Sequence, residues 1–312
     1  METTVCNLCG ADDATEFAVV PDLLLDRPTV HARLVRCNQC GLVYQNPRPT
    51  PAEIGEHYPP SYEPYADPRA GRVGQLLRRA YAYGMAKRTR YVTQAVPQGG
   101  RLLDLGCATG TFLAAVRAHG GWQVEGVELI DEVAQAARAR HNLKIFSGTL
   151  EDAAFPDDTF DAITLWDVLE HVHDPVATLT ELHRILRPGG AVIIRVPNLG
   201  SWDAALFGKY WAGLDAPRHL TVYTRATLRQ SLVQAGLRLE HFSTGIGSYV
   251  TFVLDVKFWM NAHAVAPQTK TRVSKILLNP ASRLASAPLF YIPSALGMGP
   301  ALVAVARKPR LA

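Results

Sequence analysis

Residues 101–113, Arg-Leu-Leu-Asp-Leu-Gly-Cys-Ala-Thr-Gly-Thr-Phe-Leu, limit the fold more than any other stretch. Leu102, Leu103 and Leu105 make a short apolar run, the pattern of a strand buried on both faces. Gly106 and Gly110 then mark a tight turn, and residues 111–118 resume at helical spacing with Phe112, Ala115 and Val116 on one side. A strand, a glycine loop and a helix let backbone approach a ligand closely and offer it unpaired N–H groups at the helix start. A second apolar strand over 123–129 carries Glu128, 24 residues after Asp104. An acid at that offset can take the two ribose hydroxyls of a bound nucleoside. The loop lacks the Gly-x-Gly-x-x-Gly spacing of a nicotinamide site, because Ala108 stands at its third position.

The rest of the chain alternates strands and helices. Strands are expected at 124–129, 144–147, 161–165, 191–196, 237–243 and 301–307, with helices at 131–140, 175–186 and 227–235 between them. Such alternation predicts an α/β fold, a Rossmann-like, seven-stranded, doubly wound sheet. Ahead of it, 75–95 reads as one helix whose packed side would hold Leu76, Leu77, Ala80, Tyr83 and Tyr91, with Arg78, Arg79, Lys87, Arg88 and Arg90 facing solvent. Residues 246–299 separate strands six and seven by far more than a hairpin needs. Two apolar stretches there predict helices forming a lid or substrate wall, and Trp259, Phe290 and Tyr291 also suit peripheral membrane contact through 250–295. The expected organisation is a ribbon at 1–45, a Pro/Tyr-rich connector at 46–75, and a main domain at 76–312 containing the 246–299 insertion. The tyrosines of the connector, Tyr58 and Tyr62 among them, would either link the parts or pack over a site.

Four of the five cysteines form pairs, Cys6-x-x-Cys9 and Cys37-x-x-Cys40, each followed by glycine. Four thiolates at this spacing suit a closed, tetrahedral structural zinc site. Two disulfides would conflict with a chain that opens without a charged-then-apolar leader, and a redox pair would need only one motif. Cys107, the fifth, reads as a small packing residue of the loop. Lys and Arg number 32 against 28 Asp and Glu, a net charge of only +4, with no dense basic stripe, which argues against nucleic acid as partner. No run of about eighteen apolar residues occurs, so no spanning helix is expected and a cytoplasmic or membrane-peripheral place follows.

Asp104-Leu-Gly106-x-Ala108-x-Gly110, with Glu128, resembles the class I S-adenosylmethionine (SAM)-dependent methyltransferases, whose pattern is Asp/Glu-x-Gly-x-Gly-x-Gly. Ala108 departs from it at the middle glycine. The resemblance implies that Asp104 and the loop Gly106, Cys107, Ala108 and Gly110 meet the amino-acid part of SAM. It further implies that Glu128 holds the ribose, Leu129 packs on the adenine, and Leu150 or Glu151 lies near the adenine amino group. Trp166 and Asp167 end strand four, at the sheet edge where ligands bind in open α/β folds. The following Val168-Leu-Glu170-His171-Val resembles the ubiquinone and menaquinone methyltransferases. Strand four lacks the Asn/Asp-Pro-Pro-Tyr/Phe of many amino-group methyltransferases, which points to oxygen or carbon as acceptor.

Pro217-Arg-His219-Leu-Thr-Val-Tyr223 resembles a segment of zinc-ribbon methyltransferases acting on sugar nucleotides and natural products, with Arg218 where those enzymes usually have Glu. His219, with Tyr223 and His171 as further candidates, is then the expected substrate base. The implied function is methyl transfer from SAM to a small natural-product, sugar or quinone-like molecule. An RNA base methyltransferase with a zinc-ribbon recognition module, and a non-catalytic SAM-fold interaction protein, are the alternatives.

Overall fold

The computed structural model describes residues 1–58, 72–244 and 248–310; side chains at 28, 72–81 and 248 lie outside what it describes, as do Tyr62 and the packing of Leu76, Leu77 and Ala80. The N-terminal part is a long hairpin, β1 (Ala14–Asp22) and β2 (Arg27–Cys37), followed by β3 (Val43–Gln45). Helix α1 (Arg72–Ala95) leads into β4 (Gly100–Leu105), α2 (Thr111–His119), β5 (Trp122–Glu128), α3 (Asp131–His141), β6 (Lys144–Ser147) and β7 (Phe160–Trp166). Then come α4 (Pro175–Ile185), β8 (Leu186–Pro197), α5 (Trp202–Phe207), β9 (Thr221–Val222), α6 (Arg225–Gln234) and β10 (Arg238–Ser243). Four helices, α7 (Ser248–Ala262), α8 (Pro267–Leu278), α9 (Pro280–Ala285) and α10 (Ala287–Ala295), precede β11 (Ala301–Arg307).

Seven strands form one sheet in the order β10-β11-β8-β7-β4-β5-β6. The pairs from β8 to β6 are parallel, whereas β11 runs antiparallel to both of its neighbours. Alternate residues of each strand enter opposite layers, as the pleat requires. Leu103, Ile163 and Ile194 pack with Leu179, Leu182 and Leu228 of α4 and α6 on one face. Leu102, Ala162 and Ile193 pack with Val92, Phe112 and Ala134 of α1, α2 and α3 on the other. The sheet is therefore buried on both sides, which is why its central strands read as unbroken apolar runs. Helix starts are satisfied locally: Asp174 accepts from the Ala177 N–H at 2.9 Å ahead of Pro175, and Thr224 and Thr227 form a reciprocal cap on α6.

Helix α1 corrects the expected packing. Met85, Thr89 and Val92 are buried, a stripe at i, i+4 and i+7, whereas Tyr83 is 62% exposed with the Lys87 ammonium over its ring. Arg88 shares the inward side instead of facing solvent: its guanidinium lies 5.1 Å from the Trp166 ring centroid and 3.7 Å from the Asp167 carboxylate.

The N-terminal strands share their sheet with the main domain. Their order is β1-β2-β3-β9, so the two-residue β9, which follows β8 in the main domain, completes it. Leu8, Val35, Leu42 and Tyr44 join the core on the α4–α6 face. A buried ionic contact fixes the same junction. Arg218, with a fully buried side chain, donates to Asp22 at 2.7 Å and to Asp215 at 2.7 Å, and Arg27 adds a donor to Asp22 at 2.8 Å. The arginine at the position where the resembled enzymes have glutamate is thus turned into the protein, between two carboxylates.

Removing one member of a buried ionic cluster leaves the others charged and unpaired, which costs about 3–5 kcal/mol. Arg218→Ala is expected to lose stability of that order in denaturant unfolding; a midpoint unchanged from the parent would mean that the junction does not depend on this contact.

Candidate functional site

The C-terminal ends of β4, β5 and β7 meet around the glycine loop. Gly106, Ala108 and Gly110 have φ of +69°, +46° and +69°, so the chain curls through alternating left-handed residues into α2. A Cβ on Gly106 would fall 2.6 Å from Val168 Cγ2, so only glycine lets the loop and the segment after β7 touch. Ala108 holds a left-handed conformation that glycine would adopt without strain. Cys107 is buried, with its sulfur against Gly126, and burial pushes its thiol well above the usual range, as suits a packing residue.

Two carboxyls flank this loop. Asp104 pairs in register with Thr164 and accepts its hydroxyl at 2.6 Å. Burial pushes Asp104 up to about 7, against the hydroxyl and the positive charge of Arg88. Glu128 accepts from the Ala108 N–H at 2.9 Å and the Ile130 N–H at 3.1 Å. Burial raises its pKa, and those two N–H groups with that of Leu129 pull it back. One oxygen thus steadies the loop and the other the start of α3. Leu129 is exposed beside it at 65%. Of the two residues offered after β6, Leu150 is buried in the core and Glu151 is exposed. Trp166 is buried between Phe112 and Tyr91, and Asp167 pairs with Arg195 and Arg88. These groups fit a nucleoside carrying an amino-acid tail: a buried carboxyl under the loop, the N–H groups of a helix start, and a second carboxyl at the end of β5.

The segment after β7 continues into a second cluster. Glu170 has no exposed surface, and neither of its carboxylate oxygens has a hydrogen-bond partner among the described residues. Burial, then the nearby Asp167 charge, raises it well above the carboxylate range. His219 Nε2 lies 4.0 Å from Glu170 and 3.9 Å from Asp215, and its ring stacks edge-on against His171 with centroids 4.6 Å apart. His219 Nδ1 sits 2.9 Å from the Gly213 carbonyl, so it carries the proton and leaves Nε2 as acceptor. Burial lowers the His219 pKa, partly offset by Asp215. His171 is held near 3 by burial and then by His219; its Nδ1 meets the Arg218 carbonyl at 3.0 Å and the Tyr58 hydroxyl at 2.8 Å. The connector therefore reaches the site through Tyr58. Both rings are neutral and can accept protons. Glu170, His171 and His219 also offer three ligand atoms within 4.8 Å of one another.

Tyr223 does not join them. It has no exposed surface and lies in the core, its hydroxyl without a hydrogen-bond partner among the described residues, and burial, then Glu170, raises its pKa well above the usual value. Sequence reasoning placed Arg88 on the solvent side and did not see Thr164 or the Asp22–Arg218–Asp215 support. Thr164 was visible only as a hydroxyl in an apolar strand.

At the N-terminus, the sulfurs of Cys6, Cys9, Cys37 and Cys40 lie within 4.8 Å of one another, all as free thiols. Cys6 and Cys40 are 3.4 Å apart, and Cys9 and Cys37 3.5 Å. Against its burial, the N–H groups of Cys40 and Gln39 bring Cys37 down to about 7.

Residues 77–241 match a family described as a methyltransferase domain. The ubiquinone biosynthesis O-methyltransferase of Xanthomonas axonopodis pv. citri is 33% identical over 172 residues, 50% of this chain and 70% of that protein. An uncharacterized methyltransferase of Schizosaccharomyces pombe is 34% identical over 122 residues, 35% of this chain and 44% of that protein. The chain thus spans less than half the length of one such relative and more than two thirds of the other. Among solved structures, geranyl diphosphate methyltransferase in complex with SAM shares the fold at a TM-score of 0.50 and 15% identity, over 80% of this chain and 95% of that one.

The loop geometry makes two opposite substitutions informative. Gly106→Ala combines a left-handed L-residue with the Val168 clash and should cost about 1–3 kcal/mol. Ala108→Gly relieves strain while loosening the unfolded chain, so stability should stay within about 1 kcal/mol of the parent. Thermal unfolding of both variants checks the contrast; equal losses would contradict the backbone described.

Proposed function

We infer the reaction from the premise that this chain belongs to the methyltransferase domain family, the class I SAM-dependent methyltransferases. It transfers a methyl group from SAM to an oxygen or carbon atom of a small molecule, with His219 taking the substrate proton. The observation that carries this is the continuity from loop to histidine: Val168 lies against Gly106, and three residues later His171 packs on His219. The name of the Xanthomonas relative, which spans half of this chain, favours oxygen as the acceptor.

Bound SAM supplies a methyl already activated by a positive sulfur, so the protein must align the acceptor and remove one proton. In this reading the loop 106–110 and Asp104 hold the amino-acid tail, Glu128 the ribose diol, and Leu129 the adenine. The Gly213 carbonyl fixes the His219 tautomer, and Asp215, 3.9 Å from Nε2, stands where it can pair with the imidazolium once formed.

Two variants separate binding from chemistry. Glu128→Ala should lose about 1.5–3 kcal/mol of SAM affinity by calorimetry, from two charge-assisted hydrogen bonds. His219→Ala should bind SAM like the parent yet lose about a hundred- to ten-thousand-fold in turnover. Turnover is read with methyl-labelled SAM and separate small-molecule and RNA fractions of a cell extract. Because the neutral imidazole is the active form and its pKa is lowered, the parent rate should fall only below the ordinary histidine value of 6.5. Label in the RNA fraction, or a His219→Ala variant at parental rate, contradicts the proposal.

The four N-terminal cysteines are assigned a structural zinc. Tetrahedral zinc at thiolate distances spaces its sulfurs by about 3.8 Å, close to the separations found here. Four protein ligands leave no open position, so the metal would fold the N-terminal sheet and take no part in methyl transfer. Elemental analysis should find close to one zinc per chain, and a chelator should unfold the hairpin before the main sheet. Protein purified without metal, or with either cysteine pair oxidised, would reject the assignment.

A further inference from the structure

The helices between β10 and β11 split into an anchored inner side and an uncovered outer one. Inside, Phe252 stacks on Trp202 at 5.7 Å, Phe290 meets both, and Asp255 accepts the Ala212 N–H at 2.6 Å. Outside, α8 and α9 bury no side chain, although they carry Ile276, Leu278 and Leu284. Leu278 is 72% and Leu284 77% exposed. A helix that spends large apolar residues on water without a partner marks an interaction surface.

Charge decides the partner. After the buried Asp255 the chain contains no Asp or Glu, whereas Lys257, Lys270, Arg272, Lys275 and Arg283 fall in the same helices. Lys270, Thr271, Ser274, Lys275, Leu278 and Asn279 line one shallow groove of about 550 Å³, so ammonium groups, hydroxyls and an exposed leucine share a face. Two copies meeting about a two-fold axis would set this all-basic face against itself. No helix among the described residues is long and apolar enough to cross a membrane. Apolar side chains projecting between cations, on helices lying at a surface, instead suit an interface of acyl chains and anionic headgroups.

We propose that α8 and α9 dock this protein peripherally on an anionic phospholipid bilayer, with Lys270 and Lys275 at the headgroups and Leu278 and Leu284 entering the acyl boundary. The proposal is independent of the methyl-transfer reading. The test is flotation of the full chain with vesicles of phosphatidylcholine and with vesicles of a phosphatidylcholine–phosphatidylglycerol mixture. Binding to the mixture alone, weakening as salt rises, is the expected result. Replacing both lysines, Lys270→Ala with Lys275→Ala, should weaken it about 25-fold, at about fivefold per cation. Leu278→Glu with Leu284→Glu should abolish it even at low salt, and both variants should unfold like the parent because the altered residues lie at the surface. Equal partition to both vesicles, no flotation, or self-association in sedimentation that the Leu278→Glu, Leu284→Glu variant loses would overturn the proposal.

Discussion

One guanidinium holds the two halves of this molecule in register. Arg218 is shared between Asp22, at the end of the first hairpin strand, and Asp215, in the loop after α5. Its own carbonyl receives His171, and the next residue is His219. An arginine fork meets both carboxylates through a planar, fixed set of donors, where a lysine would offer only a flexible point charge, so the geometry of the histidine pair follows from a planar group buried beneath it. The N-terminal sheet is on this account a wall of the site, and its strands earn their place by fixing a loop more than a hundred and seventy residues away.

Much of this was legible in the sequence because it depends on local pattern. Leu102–Leu103–Leu105, the loop glycines and the acid at 128 define strand, turn and second strand from spacing alone, and the strands of the main sheet fall within two residues of their expected bounds except β8, which starts five residues early at Leu186. What escaped depends on tertiary burial. β9 has two residues and no periodicity to read. Arg88 looks like any solvated helix cation until Trp166 lies opposite it. Tyr223 reads as a candidate and Glu170 only as part of a motif, yet packing sets Glu170 beside His219 and leaves Tyr223 in the core. The ion pair of Asp22 with Arg218 joins residues 196 positions apart, and no single sequence displays such a contact.

Several buried carboxyls carry raised pKa values for related reasons. Burial dominates in Asp104, raised to about 7, in Asp255, raised to about 8 with Asp203 beside it, and in Glu170. A carboxyl shifted upward stabilises the fold fully below its unfolded pKa, and that contribution is lost as pH rises through the folded value. For Asp104 and Asp255 the loss therefore lies between about pH 4 and pH 8. Asp104 differs from Asp255 in one respect: it lies at the mouth of the glycine loop, where a cationic ligand could compensate its charge. Ionising it costs the empty protein stability that an ammonium group would return.

The pairing of β3 with β9 also sets an order of assembly during synthesis. Val43 and Tyr44 must wait for Val222 and Thr221 before their sheet has its last strand. At about 5–20 residues per second, a ribosome delivers that strand roughly ten to forty seconds after the hairpin has emerged. Throughout that interval the edge of β3 lacks its neighbour, and the carboxylate of Asp22 has Arg27 of its own hairpin but not Arg218. The hairpin is thus made early and finished late, and its completion reports that the strands up to β8 have been made.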